Sequence, residues 1–370
     1  MPVELPDFPW DSLAKAKAVA AAHPDGLVDL SVGTPVDPTP APVQEALRDA
    51  SNAPGYPQVW GTPDLRDAVA AWFTRRRNAT HVGPDGVLPT IGSKEFVAWL
   101  PTMLGLGAGD IVGIPRIAYP TYDVGARLAG AVPVASDSTI GFGPKAPKLL
   151  WLNSPGNPHG KVLPIEHLAK VVAWARRSNV IVASDECYAE LDWRDEVDPD
   201  CPTTPSILDD RVCGGSHEGL LAVYSLSKQS NLAGYRAAFA AGDPALIARL
   251  VQIRKHAGMI VPWPIQRALV AGLCANESVV VQKQIYGVRR ALMKDALESA
   301  GWRIDQSEAG LYLWATQNRP CRESIDELAV RGILAAPGDF YGPAGRHHVR
   351  IALTAPDERI QSAAQRLGQD

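Results

Sequence analysis

From residue 63 onward the chain alternates two hydrophobic rhythms. Over residues 64–77, Leu65, Ala68, Val69 and Trp72 recur at helical spacing, and residues 93–104 read the same way. Short apolar runs follow at 110–115, 149–153, 180–183 and 220–224, each of strand length and each bounded by polar residues. Residues 164–177 predict an amphipathic helix, with Pro164 suited to its first turn. Such alternation implies an α/β fold with a mainly parallel sheet covered on both faces. Upstream, a short helical stretch at 12–22 gives way to Pro35, Pro38, Pro40 and Pro42, which break regular structure. After Pro264 the character changes: a long helix is expected over 278–300 and short strands at 311–315 and 348–353. We expect an arm and part of a small domain in residues 1–34, a large domain in 35–265 and a smaller α+β domain in 266–370.

In sheets of this kind ligands gather beyond the carboxyl ends of the strands. Polar clusters stand at three such ends, after Trp151, Ala183 and Tyr224. The bulk numbers fit a soluble globular protein of two domains: 370 residues, 46% hydrophobic, 21% charged, with a formal charge of −4. That balance offers no nucleic-acid surface, and the basic runs Arg75–Arg77 and Arg289–Arg290 read as solvated helix faces. Residues 1–10 lack the basic and apolar regions of a signal peptide, and no apolar run approaches the ~20 residues of a membrane helix. Cys187, Cys201, Cys213, Cys274 and Cys321 are scattered and include no CxxC pair, so neither a zinc site nor a disulfide framework is expected. A reducing cytoplasm fits this usage. The eight histidines form no metal pattern, and the adjacent His347 and His348 read as exposed. Gly105 to Gly109 resembles a dinucleotide fingerprint, but a helix precedes it and a strand follows, the reverse of the required order. Gly156 to Lys161 resembles a P-loop, but it is one residue short and Pro158 removes a backbone donor.

An aldehyde cofactor held by lysine needs an amine that forms an imine and later acts as a base. It also needs a carboxylate for its ring nitrogen, donors for its phosphate, and a cation for the substrate carboxylate. Lys228 lies in Ser225-Leu226-Ser227-Lys228, just past an apolar run, with Arg236 eight residues on. Asp185 and Tyr188 follow another run, and Asn153-Ser154-Pro155-Gly156-Asn157-Pro158 follows a third. Taken singly, each has an ordinary reading: a surface lysine, a helix cap, a turn. All of those readings would have to hold at once.

On these motifs the chain resembles the class I/II aminotransferases of the fold-type-I family that uses pyridoxal phosphate (PLP), from about Asp29 to Ala355. The resemblance implies a large domain with a mainly parallel seven-stranded sheet between helices, a smaller α+β domain and a homodimer with shared active sites. It implies that Lys228 carries PLP and shuttles the proton, that Asp185 pairs with the ring nitrogen, and that Tyr188 and Asn157 bond the ring hydroxyl. Ser93, Lys94, Ser225 and Arg236 would hold the phosphate, Tyr119 would stack on the ring, and Tyr56 would reach the phosphate of the partner subunit. Gly33 would admit substrate and Arg350 would clamp its α-carboxylate. His159 stands where Thr is common in the family, and Lys94 where a small or amide residue is frequent.

The implied reaction moves an amino group between glutamate/2-oxoglutarate and a keto acid. The stretches Ser31 to Asp37 and Gly55 to Thr62 are similar to actinobacterial N-succinyldiaminopimelate aminotransferases of lysine biosynthesis. They point to N-succinyl-2-amino-6-oxopimelate, with Arg127, Arg254 and Lys255 as candidate cations for the distal carboxylates. The alternatives are an aminotransferase for aspartate, aromatic or other amino acids, a C–S lyase on the same fold, a PLP-sensing regulator, or a non-catalytic binding protein. A regulator would need a DNA-binding module ahead of the motifs.

Overall fold

In the computed structural model the described residues are 4–194 and 204–368, so Cys201 lies outside them. Seven strands form the main sheet: β2 (Val87–Ile91), β3 (Ile111–Ile114), β4 (Val132–Ala135), β5 (Leu149–Asn153), β6 (Ile181–Asp185), β7 (Leu220–Ser225) and β8 (Ala237–Gly242). Their spatial order is β2-β8-β7-β6-β5-β3-β4. All neighbours are parallel except β8, which runs antiparallel to both β2 and β7. The fold is therefore the expected α/β class, with one reversed strand.

The helices of this part are α2 (Ala41–Asp49), α3 (Pro63–Arg77), α4 (Gly92–Met103), α5 (Thr121–Leu128), α6 (Ile165–Ser178), α7 (Asp210–Cys213), α8 (Leu226–Gln229), α9 (Pro244–Ala257) and α10 (Trp263–Cys274). Local chemistry sets their ends. Thr62 accepts from the Leu65 amide at 3.3 Å and Pro63 opens α3, while Asn78 ends it at φ 49°. Asp243 caps α9 through the Ala245 and Leu246 amides at 2.8 and 3.3 Å.

The remaining elements pack as a second unit. They are α1 (Ala14–Ala21), β1 (Val28–Asp29), α11 (Asn276–Ser299), β9 (Arg303–Ile304), β10 (Tyr312–Thr316), α12 (Cys321–Val330), β11 (Ile333–Leu334), β12 (Ala336–Pro337), β13 (Val349–Ala352) and α13 (Asp357–Leu367). The N-terminal strand β1 pairs in parallel with β11, and β12-β13-β10-β9 form an antiparallel sheet. One apolar cluster joins Leu13, Val28 and Leu30 to Met293, Trp314, Ile351 and Ile360. None of the described helices is long and apolar enough to cross a membrane.

Three expectations are corrected. Arg75–Arg77 is not simply a solvated face. Arg77 is buried over the Trp72 ring at 4.5 Å and pairs with Glu190 at 2.8 Å, and Arg76 reaches the same carboxylate at 2.5 Å. Arg289 is likewise buried between Asp37 and Asp357, at 2.6 Å from each. His348 is not exposed either: it stacks on Trp314 at 4.8 Å and bonds Asp305 at 2.8 Å.

Glu190 is held below the ordinary carboxylate range despite burial, because two arginines face it. Glu190→Ala leaves both guanidinium groups beside an apolar core. It is expected to lower stability to urea by about 3 kcal/mol. A change below about 0.5 kcal/mol, the scale of an ordinary surface substitution, would contradict this account of the contact.

Candidate active site

The carboxyl ends of β5, β6 and β7 supply the polar groups. At the end of β5, Asn153 organises the following turn. Its amide donates to the Asp185 and Pro155 carbonyls at 2.9 and 3.1 Å, and its oxygen accepts from the Asn157 N–H at 2.7 Å. At the end of β6, the Asp185 carboxylate accepts from the Tyr122 hydroxyl at 2.9 Å and from the Cys187 N–H at 3.2 Å. Tyr122 is fully buried and stacks on Trp151 at 5.1 Å. Burial raises the Asp185 pKa, against the pull of the Cys187 and Tyr122 hydrogen bonds. A desolvated carboxylate of this kind favours a cationic N–H partner.

At the end of β7, the Ser225 oxygen accepts from the Ser227 N–H at 3.2 Å and so caps α8, which carries Lys228. The Lys228 ammonium donates to the Gly33 carbonyl. Arg236 sits at φ 56° and donates to the Ala233 carbonyl at 2.7 Å. Its guanidinium lies against Gly92, the first residue of α4. A Cβ on Gly92 would overlap Arg236 Nη2, and Gly92 has φ +73°, so glycine is required here. The Gly92 N–H donates to the Arg236 carbonyl at 2.8 Å, and the amides of the first turn that follow it, the Arg236 guanidinium and Ser225 make a cradle suited to a phosphate. Lys94 contributes its place at that helix end, but its ammonium faces the Phe8 ring at 5.7 Å. The Ser93 hydroxyl is turned toward the Cys187 thiol.

A second group of contacts converges on Arg350. Its guanidinium donates to Asn157 Oδ1 at 3.1 Å and to the Ser31 carbonyl at 2.7 Å, and lies over the Tyr312 ring at 4.0 Å. Its buried Nε has no hydrogen-bond partner among the described residues. The Tyr188 and Tyr312 hydroxyls meet at 3.0 Å. Burial pushes Tyr188 well above its usual range; Tyr312 is brought below its own, because the Arg350 and Lys228 charges outweigh burial. A Cβ on Gly33 would strike the Tyr312 hydroxyl, which explains the glycine there.

Gly33, Ser93, Asn157, Asp185, Tyr188, Ser225, Lys228, Arg236 and Arg350 are thus linked into one region. Tyr119 stands beside it, edge-on to Tyr122 at 6.0 Å. Tyr56 is fully exposed, away from this constellation. Two side chains given no role in the sequence take central positions, Tyr122 beneath Asp185 and Tyr312 between Gly33, Tyr188 and Arg350. Tyr122 lies in the same short aromatic segment as Tyr119, a weak signal. Nothing in the sequence points Tyr312 at this region. Of the cations considered for a distal carboxylate, Arg254 is buried against Glu95 at 2.8 Å and Arg127 is bound to Asp123 at 2.6 Å. Lys255 is exposed on α9.

A layered α/β sheet whose strand ends gather a lysine, a buried aspartate and a phosphate cradle defines a class of cofactor-dependent enzymes, and the comparisons resolve it further. The family model "Aminotransferase class I and II" matches residues 25–367, and the chain belongs to that PLP-dependent family. A Mycobacterium tuberculosis protein described as a probable aminotransferase is 57% identical over 98% of this chain and 85% of its own length. The 4-dedimethylamino-4-oxo-anhydrotetracycline transaminase of Streptomyces rimosus is 55% identical over 98% of this chain and 99% of its own. A Thermus thermophilus structure described as a probable N-succinyldiaminopimelate aminotransferase is 29% identical. It superposes with a TM-score of 0.84 over 97% of this chain and 99% of that one.

Glu186, next to Asp185, faces the opposite way and is buried. Burial pushes its carboxyl up to about 7, while the Ile207 N–H, the Ser206 hydroxyl and Arg77 oppose the rise. A carboxyl raised on folding stabilises fully below its unfolded value of about 4.5 and loses that contribution as pH climbs through about 7. Glu186→Gln, which keeps the oxygen that accepts from Ile207, is expected to flatten stability between those pH values and to exceed the parent at pH 8. A parent-like decline with pH in the variant would contradict this.

Proposed function

We propose that Lys228 holds PLP covalently and serves as the base of a transaminase whose amino donor is glutamate. The observation that carries this reading is Lys228 placed with the desolvated Asp185 and with a phosphate cradle that leaves no room for a Cβ at Gly92. These residues fit PLP: Asp185 for its ring nitrogen, Tyr188 and Asn157 for its hydroxyl, Tyr119 for its face, and the start of α4 with Ser93, Lys94, Ser225 and Arg236 for its phosphate. Bound there, PLP supplies an acceptor for the electrons released when a substrate Cα loses its proton.

The protein's own groups do the rest. Arg350 grips the substrate α-carboxylate, offering its unpartnered Nε together with an Nη now bonded to Ser31 or Asn157. Gly33 leaves space for that carboxylate. Displaced from PLP by the incoming donor amine, Lys228 Nζ would be free to take the substrate Cα proton and pass it on, and Asp185 would lie opposite the ring nitrogen. Tyr312 orients Tyr188 and shares the Arg350 face. A keto acid then repeats the path in reverse, giving ping-pong kinetics.

For the acceptor we favour N-succinyl-2-amino-6-oxopimelate, which would place the enzyme in lysine and diaminopimelate formation. The wording of residues 31–37 and 55–62 supports this, as does the similarity to the Thermus thermophilus protein. With Arg254 and Arg127 already paired, Lys255 is the remaining cation of the three considered for a distal carboxylate. A second reading rests on the 55% identity to the Streptomyces rimosus enzyme: a polycyclic ketone acceptor. Glutamate-dependent amination is to be measured with both acceptors, with Lys228→Ala as control. The succinylated keto acid is expected to saturate, and the variant to lose at least about a thousandfold in rate. Amination confined to the polycyclic ketone would move the assignment to the second reading. Pyruvate and ammonia released from cystathionine without a keto acid would indicate a lyase, and a variant within tenfold of the parent would remove Lys228 from the chemistry.

We further propose a cytoplasmic homodimer in which Tyr56 reaches the partner's phosphate cradle, because its fully exposed ring has no role within its own chain. Sedimentation is expected to give a dimer, and Tyr56→Phe to weaken PLP retention several-fold. A monomer with full activity on dilution would contradict this.

A further inference from the structure

At the end of the sheet opposite the cofactor site, the short helix α7 and the turn that leads into β7 gather Asp210, Cys213 and His217. One ligand atom from each lies within 4.8 Å of the others. No motif of the sequence marks them, since the spacing Asp-x2-Cys-x3-His is not a familiar zinc pattern and the cysteine stands alone. The folded turn does the gathering. Gly214 and Gly215 take φ +66° and +76° and double the chain back toward α7.

The groups are prepared in ways that an ordinary packed turn does not need. Nε2 of His217 is buried and has no hydrogen-bond partner among the described residues, a costly state for an imidazole nitrogen. The His217 residue is 7% exposed. Its ring lies against the Leu208 carbonyl, to which the Cys213 thiol also donates at 3.4 Å. Asp210 is fixed from outside the group: Oδ2 accepts from the Thr80 N–H and hydroxyl at 3.3 and 2.5 Å, and Oδ1 meets His81 Nδ1 at 3.1 Å. A ligating carboxylate backed by further polar partners is the usual arrangement around a bound metal. The other charge facing the turn is Arg176, whose guanidinium is occupied by the Cys213 and Ser216 carbonyls at 2.8 and 2.7 Å.

We infer that Asp210, Cys213 and His217 bind a divalent ion of the zinc class, with His81 supporting Asp210 from outside. A sulfur, an imidazole nitrogen and one carboxylate suit zinc or cobalt, whereas magnesium and calcium take oxygen ligands. On binding, the Cys213 thiol gives its proton to solvent, and its sulfur and the Asp210 carboxylate balance the charge of the cation. The fourth position is left to water. The ion would pin α7 and the entry to β7 onto the loop after α3, so its effect falls on stability and not on the remote chemistry at Lys228.

The test uses the PLP-loaded protein, freed of any histidine tag. Zinc is titrated in equilibrium dialysis with metal analysis, and cobalt is titrated by absorption. The expected result is one ion per chain, with a thiolate-to-cobalt charge-transfer band in the near ultraviolet. Cys213→Ser and His217→Gln are each expected to weaken binding more than tenfold and His81→Gln about tenfold, the scale for an outer partner of a ligand. Cys274→Ser, at an exposed cysteine elsewhere, leaves binding unchanged. Glutamate turnover by His217→Gln stays at the parent level, which separates this site from the cofactor site. Should Cys213→Ser not fold, Asp210→Asn replaces it. No stoichiometric ion, no thiolate band, binding that survives both Cys213→Ser and His217→Gln, or binding lost in Cys274→Ser would each overturn the inference.

Discussion

The buried guanidinium of Arg350 is the constraint on which the site depends. It rises from β13 and reaches three separate stretches of chain: the Ser31 carbonyl of the N-terminal segment, Asn157 beyond β5, and the face of Tyr312 on β10. A charge taken out of water needs such partners, and losing one hydrogen bond to a charged group costs about 1.5–3 kcal/mol. Satisfying Arg350 therefore holds the arm, the main sheet and the small sheet in one arrangement. That satisfaction is incomplete at Nε, the atom that the proposed function assigns to a substrate carboxylate.

Around this fixed cation the sheet does the positioning. Three neighbouring parallel strands end close together: Asn153 pairs with Asp185, Asp185 pairs with Val223, and Ser225 closes the same strand just beyond, although the three are far apart in sequence. Short-range chemistry then sets the directions. Asn153 shapes the turn that carries Asn157, Ser225 caps the helix that carries Lys228, and the left-handed Arg236 presses its guanidinium against a position where only glycine fits. Tyr122 and Trp151 keep water from Asp185 on one side. That leaves a carboxylate whose best remaining partner is a cationic ring nitrogen.

The fold class was legible because the alternation of helical and strand periods is strong over residues 64–104 and 149–224. Other features escaped for physical reasons. Strand β8 reads Ala-Ala-Phe-Ala-Ala-Gly and has neither period nor β-branched residues. It is a strand because β2 and β7 supply its hydrogen bonds on both sides, and Phe239 apart its buried positions carry only small side chains. The edge strand β2 carries Pro89, which argues locally against a strand. The basic run at Arg75–Arg77 looks like a wet surface until Glu190, more than a hundred residues away, is placed opposite it. Site residues inside compact motifs, such as Lys228 with Arg236 or Asp185 with Tyr188, could be nominated from sequence. Tyr312 could not, since its place is defined only by Gly33, Tyr188 and Arg350. The direction of the Lys94 ammonium, toward Phe8, follows from tertiary packing in the same way.

The central claim is that one lysine, placed by β7 and its Ser225 cap, carries the cofactor. The most direct measurement is borohydride reduction of the PLP-loaded protein, followed by digestion and mass spectrometry of the lysine-containing peptides. The added phosphopyridoxyl mass is expected on Lys228 alone, in stoichiometric amount. The same mass on another lysine, with Lys228 unmodified, would contradict it.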